Sequence, residues 1–189
     1  MSAINAPYGF MPVSHRSGKV LTHSARGGIA SAYGSAIGIG DPVKLLTDGT
    51  YALAAAGDLI SGVWAGWHSY DAGVWQRMGN WLAGTTWVNP PEVYIWPIEG
   101  TVFSAQGAGS VAQTAVGDAC DHIAGTVNTR SGRGGSYLAT ASLAGAGFSA
   151  GWKILGLLRE VGNAWGDDYT KLLVMCNEPN LGRTAGNAI

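Results

Sequence analysis

The sequence predicts an all-β protein, an antiparallel β-barrel or sandwich that is jelly-roll-like, and three observations indicate this class. Short apolar runs alternate with tight-turn residues, glycine is in excess at 30 of 189 residues, and few helix caps are present. The run PVKLLTDGTYALA places Asp48 and Gly49 between two apolar stretches, which is the strongest short-range sign of a β-hairpin. From residue 41 onward, the chain is therefore interpreted as strands joined by turns.

The later apolar runs are interpreted as further strands. EVYIWPIEGTVFS repeats the hairpin pattern with Glu99 and Gly100 at the turn, and residues 93–98 are apolar on both faces. Such a strand lies inside a barrel, between layers or against a partner. SYLATASL alternates, whereas WKILGLLREV and DYTKLLVMCN are rich in large apolar residues. Either of these two could instead be a short helix, with Asp167 as a cap, so residues 152–176 are predicted as strand or part helix.

Charge divides the chain at Asp41, the first acidic residue. Residues 1–40 carry three positive charges and no negative charge, and they are predicted to form an extended N-terminal arm. Fully stretched, forty residues reach roughly 130 Å, enough to cross a neighbouring subunit. A disordered tail is the alternative, but the aromatic and proline residues of NAPYGFMPV argue against it. Residues 41–178 then form the barrel or sandwich domain, and residues 179–189 form a C-terminal tail.

Tryptophans cluster in the middle of the chain. Six of the eight lie between residues 64 and 96, among glycines that mark loops, so residues of about 64–91 are predicted as a Trp-rich insertion. The insertion is either a folded lobe or a surface that a partner covers, although any single tryptophan also fits a core.

Composition favours a contact protein. Charged residues make up 12% of the chain, against about 25% in ordinary soluble domains, and depletion of charge with enrichment of aromatics is typical of interfaces. A net charge of −1 and the lack of a long, strongly apolar run predict neither nucleic acid nor membrane as a partner. The candidate contact residues are Pro7, Tyr8, Phe10, Met11, Pro12, Trp64, Trp67, Trp75, Trp81 and Trp87.

Catalytic and metal-binding patterns are weak, so neither an enzyme nor a metal or other cofactor is predicted. GFSAG fits the nucleophile motif G-x-S-x-G at Ser149, but all four histidines precede this serine, whereas the motif requires one after it. Asp118, Asp121 and His122 lie close together without a second cluster to complete a metal site. Arg130 and Arg133 could contact a phosphate or a carboxylate, but a solvated glycine loop explains them as well.

Three stretches of the sequence together resemble the small head proteins of tailed bacteriophages known as decoration or cement proteins. They are NAPYGFMPV, GDPVKLLTDGTYALA and LLREVGNAWGDDYTKLLV. The resemblance implies a mostly β protein without enzymatic activity that binds the outer surface of an assembled capsid where its subunits meet. It implies the phage major capsid protein and further copies of this chain, as a dimer or trimer, as partners. The location implied is the virion, after synthesis in the bacterial cytoplasm, which agrees with the lack of a signal-peptide pattern.

The function expected from these observations is stabilisation of the capsid by bridging neighbouring subunits. The arm is expected to clamp a neighbour through Tyr8 and Phe10, so that deleting residues 1–40 weakens capsid binding and leaves the barrel folded. Three alternatives remain open: a carbohydrate-binding β-sandwich module of a phage particle, a major shell component, and a hydrolase built on Ser149.

Overall fold

Two antiparallel β-sheets carry most of the regular structure in the computed structural model, which describes residues 4–71, 73–144 and 150–177. The first sheet contains, in spatial order, β1 (Met11–His15), β8 (Thr101–Gln106), β13 (Lys171–Cys176), β12 (Trp152–Leu157) and β9 (Ala119–Cys120). The second contains β2 (Ser24–Arg26), β7 (Glu92–Trp96), β5 (Gly62–Asp71), β3 (Pro42–Leu45) and β4 (Tyr51–Leu53), with β6 (Val74–Met78) also paired to β5. A small third sheet pairs β10 (His122–Ile123) with β11 (Tyr137–Leu138).

The all-β prediction is confirmed in its sandwich form. The described residues contain two short 3₁₀ helices, Gln113–Ala115 and Thr140–Ser142, but no α-helix. The two large sheets stay separate, and no closed barrel is found among the described strands. None of the described residues forms a helix long and apolar enough to cross a membrane.

Two hydrophobic clusters cover the two faces of the second sheet. The first cluster joins Val63 of this sheet to Phe103, Trp152 and Leu172 of the first sheet, so it forms the core of the sandwich. Val93 and Ile95, on alternate positions of β7, belong instead to the second cluster, which loop residues complete. Because successive side chains of a strand point to opposite faces, this second cluster lies on the far side of the sheet.

The hairpin predicted at Asp48 and Gly49 is confirmed. β3 pairs with β4 in antiparallel register, with Leu45 opposite Tyr51. Gly49 has φ of 82°, a conformation that favours glycine, and the Thr50 amide donates to Asp48 Oδ1 at 2.9 Å.

The second predicted hairpin is wrong, because its two strands lie in different sheets. β7 is paired on both sides by β2 and β5, and β8 is paired on both sides by β1 and β13, so neither has an edge left for the other. The turn at Glu99 and Gly100 instead carries the chain from the second sheet to the first. β7, in the run predicted to be apolar on both faces, alternates between buried and more exposed positions, whereas β8 is buried at every position.

The late apolar runs are strands, so the helix alternative is wrong. β12 and β13 form an antiparallel pair in the first sheet, in which Trp152 lies opposite Cys176. Asp167 caps no helix; its carboxylate accepts a hydrogen bond from the Ala164 amide at 2.9 Å within a turn. The SYLATASL strand shortens to β11, because a 3₁₀ helix begins at Thr140.

The N-terminal segment is not an arm separate from the sandwich. β1 is the edge strand of the first sheet, paired with β8, and β2 is an edge strand of the second sheet, paired with β7. Just before β1, the Phe10 amide donates to the Gly40 carbonyl at 2.7 Å. Gly9, at φ of 80°, approaches Gly40 so closely that a Cβ there would lie 2.8 Å from the Gly40 carbonyl carbon. The apolar opening stretch therefore packs on its own chain.

The Trp-rich region is not an insertion either. β5, which contains Trp64 and Trp67, is the longest strand of the second sheet at 10 residues. β7 pairs with one side of β5, and β3 and β6 pair with the other side, so this strand lies inside the sheet.

Candidate interaction surface

Four of the ten predicted contact residues are internal, and their assignment as subunit contacts is wrong. Phe10, Trp64 and Trp81 have no exposed surface and Trp67 is 4% exposed. The indole N–H groups of Trp64 and Trp67 donate to the carbonyls of Gly79 and Asn80 at 2.7 and 2.9 Å. These large side chains complete the two cores, so no surface remains for a partner.

Five more of the ten are half-buried on their own chain: Pro7, Tyr8, Met11, Pro12 and Trp87. Tyr8 lies against the first sheet, where Lys171 Nζ is 6.0 Å from its ring centroid, and burial raises the pKa of its phenol. The Trp87 indole donates to the Ile29 carbonyl at 3.1 Å and packs against the second cluster.

Trp75 is the one predicted contact residue that is mainly exposed, with 69% of its surface accessible. It lies on β6, a strand whose five residues are all exposed. Tryptophan is usually buried in large part, so an exposed tryptophan on an exposed strand is uncommon. Exposed apolar patches mark interaction sites.

Trp75 is part of a continuous aromatic surface that comprises His68, Tyr70, Trp75, Arg77 and Tyr94, here named the aromatic platform. The His68 ring centroid lies 5.3 Å from that of Trp75 and 5.2 Å from that of Tyr94, and the His68 and Tyr94 rings are inclined by only 26°. The Trp75 and Tyr70 centroids are 5.2 Å apart. The Arg77 guanidinium lies 5.9 Å from the Tyr94 ring centroid, within reach of a cation–π contact.

Strand register brings these side chains to one face. His68 lies opposite Arg77, and Tyr70 lies opposite Trp75, in the pairing of β5 with β6. Directly opposed residues of antiparallel strands share a face. The register of β5 against β7 shifts between Trp64 and Gly66.

This irregularity requires glycine at position 66. Gly66 has φ of 134°, and a Cβ there would meet the Met78 carbonyl oxygen at 2.8 Å. The shift explains why both Trp64 and Trp67 reach the second cluster, although three positions separate them, while His68 faces the platform.

The platform continues the face of the second sheet that covers the sandwich core. Trp96 and Tyr94 are two positions apart on β7 and so share a face. Trp96 packs against the first cluster. Tyr94 instead contacts His23, His68 and Arg77. The platform is thus the part of this face of the second sheet that lies beyond the first cluster.

Polar groups border the platform. His68 Nε2 lies 3.6 Å from Glu92 Oε2, and the other ring nitrogen, Nδ1, is buried and has no hydrogen-bond partner among the described residues. Arg77 and Glu92 are both exposed and of opposite sign. The surface therefore combines aromatic ring faces with the cation of Arg77 and, beside His68, the anion of Glu92.

Beside the platform lies an open sheet edge. Within the described part of the chain, β6 pairs with β5 only, and its other side forms no ladder. Backbone N–H and C=O groups on such an edge are able to pair with another strand. Val74 and Met78, at its two ends, are 59% and 47% exposed.

The weaker predicted sites do not assemble. The described residues contain no group of three or more His, Cys, Asp or Glu side chains placed to hold a metal ion. The His122 Nε2–H donates to the Ala54 carbonyl at 3.0 Å, and Asp121 Oδ1 accepts from the Gly151 amide at 3.3 Å. Arg130 and Arg133 are exposed. Ser149 and the tail at 179–189 lie outside the described residues.

Sequence reasoning found Trp75 but missed the other four platform residues. A signal was present, because GVWAGWHSYD and VWQRM are two strand-like runs separated by two residues. Pairing them as a hairpin would have set Tyr70 beside Trp75 and His68 beside Arg77.

The fold and this surface define the class of protein: a charge-poor β-sandwich with an exposed aromatic platform and an open sheet edge. Comparisons with models of protein families, with curated proteins and with solved structures found no match.

Proposed function

We propose that this chain is a structural virion protein that binds the outer surface of a bacteriophage head and stabilises the capsid by bridging neighbouring subunits. The aromatic platform is the observation that carries the proposal. Trp75 and Tyr70 are 69% and 46% exposed and lie side by side. Desolvated aromatic and arginine side chains supply most of the binding energy in protein interfaces.

The proposal changes which part of the chain makes the contact. Phe10 is buried in its own core, so the anchoring role expected of the N-terminal residues passes to Trp75 and Tyr70. Rigid aromatic side chains give a large contact area at low entropic cost. The resemblance of three sequence stretches to decoration proteins supports the same assignment, and the major capsid protein is the partner that it implies.

A protein partner fits the platform better than a sugar does. Stacking of a pyranose ring needs a flat aromatic face, and two rings serve a longer glycan only if they are nearly coplanar. The rings of Tyr70 and Trp75 are inclined by 54°. The two rings therefore do not offer one flat face to a sugar.

Repetition on a lattice makes a modest contact sufficient. When copies attach to a capsid through two or more sites, the later contacts form at high effective concentration. Each platform therefore need not bury the area of a standard, independently stable interface, about 1,200–2,000 Å².

Co-sedimentation with purified heads of the phage that encodes this chain tests the proposal. The chain should saturate the heads, and Trp75→Ala should weaken binding by at least about tenfold, because tryptophan anchors contribute about 2 kcal/mol or more. Tyr70→Ala removes a platform ring that lies on β5 and not on the edge strand β6, and it should weaken binding as well.

Val161→Ala is the matched control, because Val161 is 99% exposed on the loop between β12 and β13 of the other sheet. It should bind as the unaltered chain does. Failure of the chain to sediment with heads, or equal binding by all variants, would refute the proposal. Retention on a glycan array that Trp75→Ala abolishes would favour the carbohydrate-binding alternative.

A further inference from the structure

We propose that β6 is a self-association strand, and that two copies of this chain join their second sheets by antiparallel pairing of β6 with β6 about a two-fold axis at Gln76. The inference concerns the free protein and does not depend on capsid binding. It starts from the open edge of β6, which among the described strands pairs with β5 alone.

The sequence of β6 is complementary to itself in this arrangement. A two-fold axis at Gln76 sets Val74 opposite Met78 of the second copy, and Trp75 opposite Arg77 of the second copy. Each cross-strand pair is then favourable, since one joins two apolar side chains and the other joins an indole to a guanidinium. Gln76 meets its own copy, and an amide both donates and accepts hydrogen bonds.

Tyr94 already holds Arg77 on the platform face, where this contact would form. Its guanidinium already lies 5.9 Å from the Tyr94 ring centroid of the same chain, and the side chain remains exposed. In the proposed dimer Trp75 of the second copy would lie beside the same guanidinium. Arg77 would thus contact one aromatic ring from each chain on the platform face of the joined sheet.

The exposure of β6 in the single chain supports a second copy as the partner of this edge. All five residues of β6 are exposed, including Val74 at 59%, Trp75 at 69% and Met78 at 47%. Soluble proteins usually protect an edge strand with charged side chains, proline or a bulge, and the five residues of β6 include no proline and one charge, Arg77. Isologous pairing covers the edge in both copies at once and closes the assembly as a dimer.

Crosslinking through Gln76→Cys tests the geometry. Opposed Cα atoms of paired antiparallel strands lie about 4.5–5.5 Å apart, inside the range of about 4.4–6.8 Å that a disulfide needs. Mild oxidation should therefore convert most of this variant to a disulfide-linked dimer. Val161→Cys, which places an exposed thiol on the loop between β12 and β13, should remain mostly monomeric under the same oxidation.

Sedimentation equilibrium of the unaltered chain and of Gln76→Lys supplies the second test. A single strand pair is a small interface and is expected to bind weakly, so a high protein concentration is needed. At about 100 µM the unaltered chain should show the mass of a dimer. Gln76→Lys sets two like charges opposite each other and should raise the dimer dissociation constant at least about tenfold.

Each other outcome overturns the inference. A monomer at that concentration excludes the dimer. A dimer that Gln76→Lys leaves unchanged, with no crosslink through Gln76→Cys, uses a different surface. If a thiol–amine crosslinking reagent joins the Gln76→Cys thiol to a lysine of the capsid protein on phage heads but never to a second copy of this chain, β6 contacts the capsid instead, and the capsid proposal survives without this one.

Discussion

Phe10 stacks on Trp152, with ring centroids 4.2 Å apart and planes inclined by 19°. Trp152 in turn meets Phe103 edge to face at 5.7 Å. All three side chains are fully buried, so Phe10 is part of the core of the sandwich. The N-terminal segment is consequently part of the fold.

Phe10→Ala should lower the free energy of unfolding by about 3–5 kcal/mol, because it removes a fully buried ring and leaves a cavity. Urea denaturation followed by tryptophan fluorescence measures the change. Val13→Ala, three positions further along and 45% exposed, should change the free energy by about 0.5 kcal/mol or less. Equal effects of the two substitutions would contradict the assignment of Phe10 to the core.

Deletion of residues 1–40 should unfold the sandwich rather than leave it folded. The deletion removes Phe10 and Ile37, which are buried in the first and second clusters respectively, together with β1 and β2. Circular dichroism and one-dimensional NMR of the truncated chain measure the outcome. A well-dispersed NMR spectrum from residues 41–189 would show that the arm interpretation was right after all.

Acid should destabilise the protein through His122. Burial lowers the pKa of this side chain below its ordinary value of 6.5. The unfolded chain then binds the proton more readily than the folded chain does, so the free energy of unfolding falls as the pH drops below about 6.5. His122→Gln should reduce this loss between about pH 6.5 and 5, measured as the urea midpoint at each pH.

His23→Gln provides the comparison, because His23 is exposed and lies beside Tyr94 on the other sheet. It should leave the pH profile close to that of the unaltered chain. If His23→Gln flattens the profile and His122→Gln does not, the loss has another origin than burial of His122.

Gly134→Ala should be strongly destabilising because of Asp41. The buried Asp41 carboxylate accepts hydrogen bonds from the Gly38 amide at 2.7 Å and from Ser136 Oγ at 2.6 Å. A Cβ on Gly134 would lie 2.1 Å from Asp41 Oδ1, so the carboxylate or the backbone must shift. We expect a loss of about 2 kcal/mol or more in thermal or urea unfolding.

Gly34→Ala is the matched substitution, since a Cβ there meets nothing within 4 Å. It should be neutral, or stabilising by up to about 1 kcal/mol. Similar unfolding midpoints for the two alanine variants would mean that the loop at Gly134 does not approach Asp41 as closely as the structure shows.

Both thiols should be unreactive in the folded protein. Cys120 and Cys176 are buried on strands that flank β12, each opposite Trp152, and burial raises the pKa of Cys120 to about 12. Two strand spacings separate them by about 9–10 Å, too far for a disulfide. A colorimetric thiol assay at pH 8 should therefore detect both thiols after denaturation and neither before it.

Local pattern was sufficient where a strand and its turn are neighbours in sequence. Apolar runs and the Asp48–Gly49 pair predicted an all-β chain and the β3–β4 hairpin, and the structure confirms both. The same rule failed at Glu99–Gly100, because turn chemistry shows that the chain reverses but not which sheet receives the next strand. The sheet that each strand joins depends on its pairing partners, which are β2 and β5 for β7, and β1 and β13 for β8.

The candidate site divides in the same way. Composition indicated a contact protein, and Trp75 was among the predicted contact residues. The pattern did not separate Trp75 from Trp64, Trp67 and Trp81, which are equally aromatic and lie nearby in sequence but are buried. Their burial follows from the irregularity at Gly66 and from loops that close over the far face of the second sheet.

By itself, then, the sequence determined that this protein is built of short antiparallel strands, is poor in charge and carries more aromatic surface than one core requires. Only the tertiary structure decided which aromatic residues are core and which are surface, and that the N-terminal segment packs on its own chain. The physical reason is that burial depends on contacts between residues far apart in sequence. Phe10 meets Trp152, 142 positions later in the sequence, and Tyr94 meets His68 on the neighbouring strand, only in the folded chain.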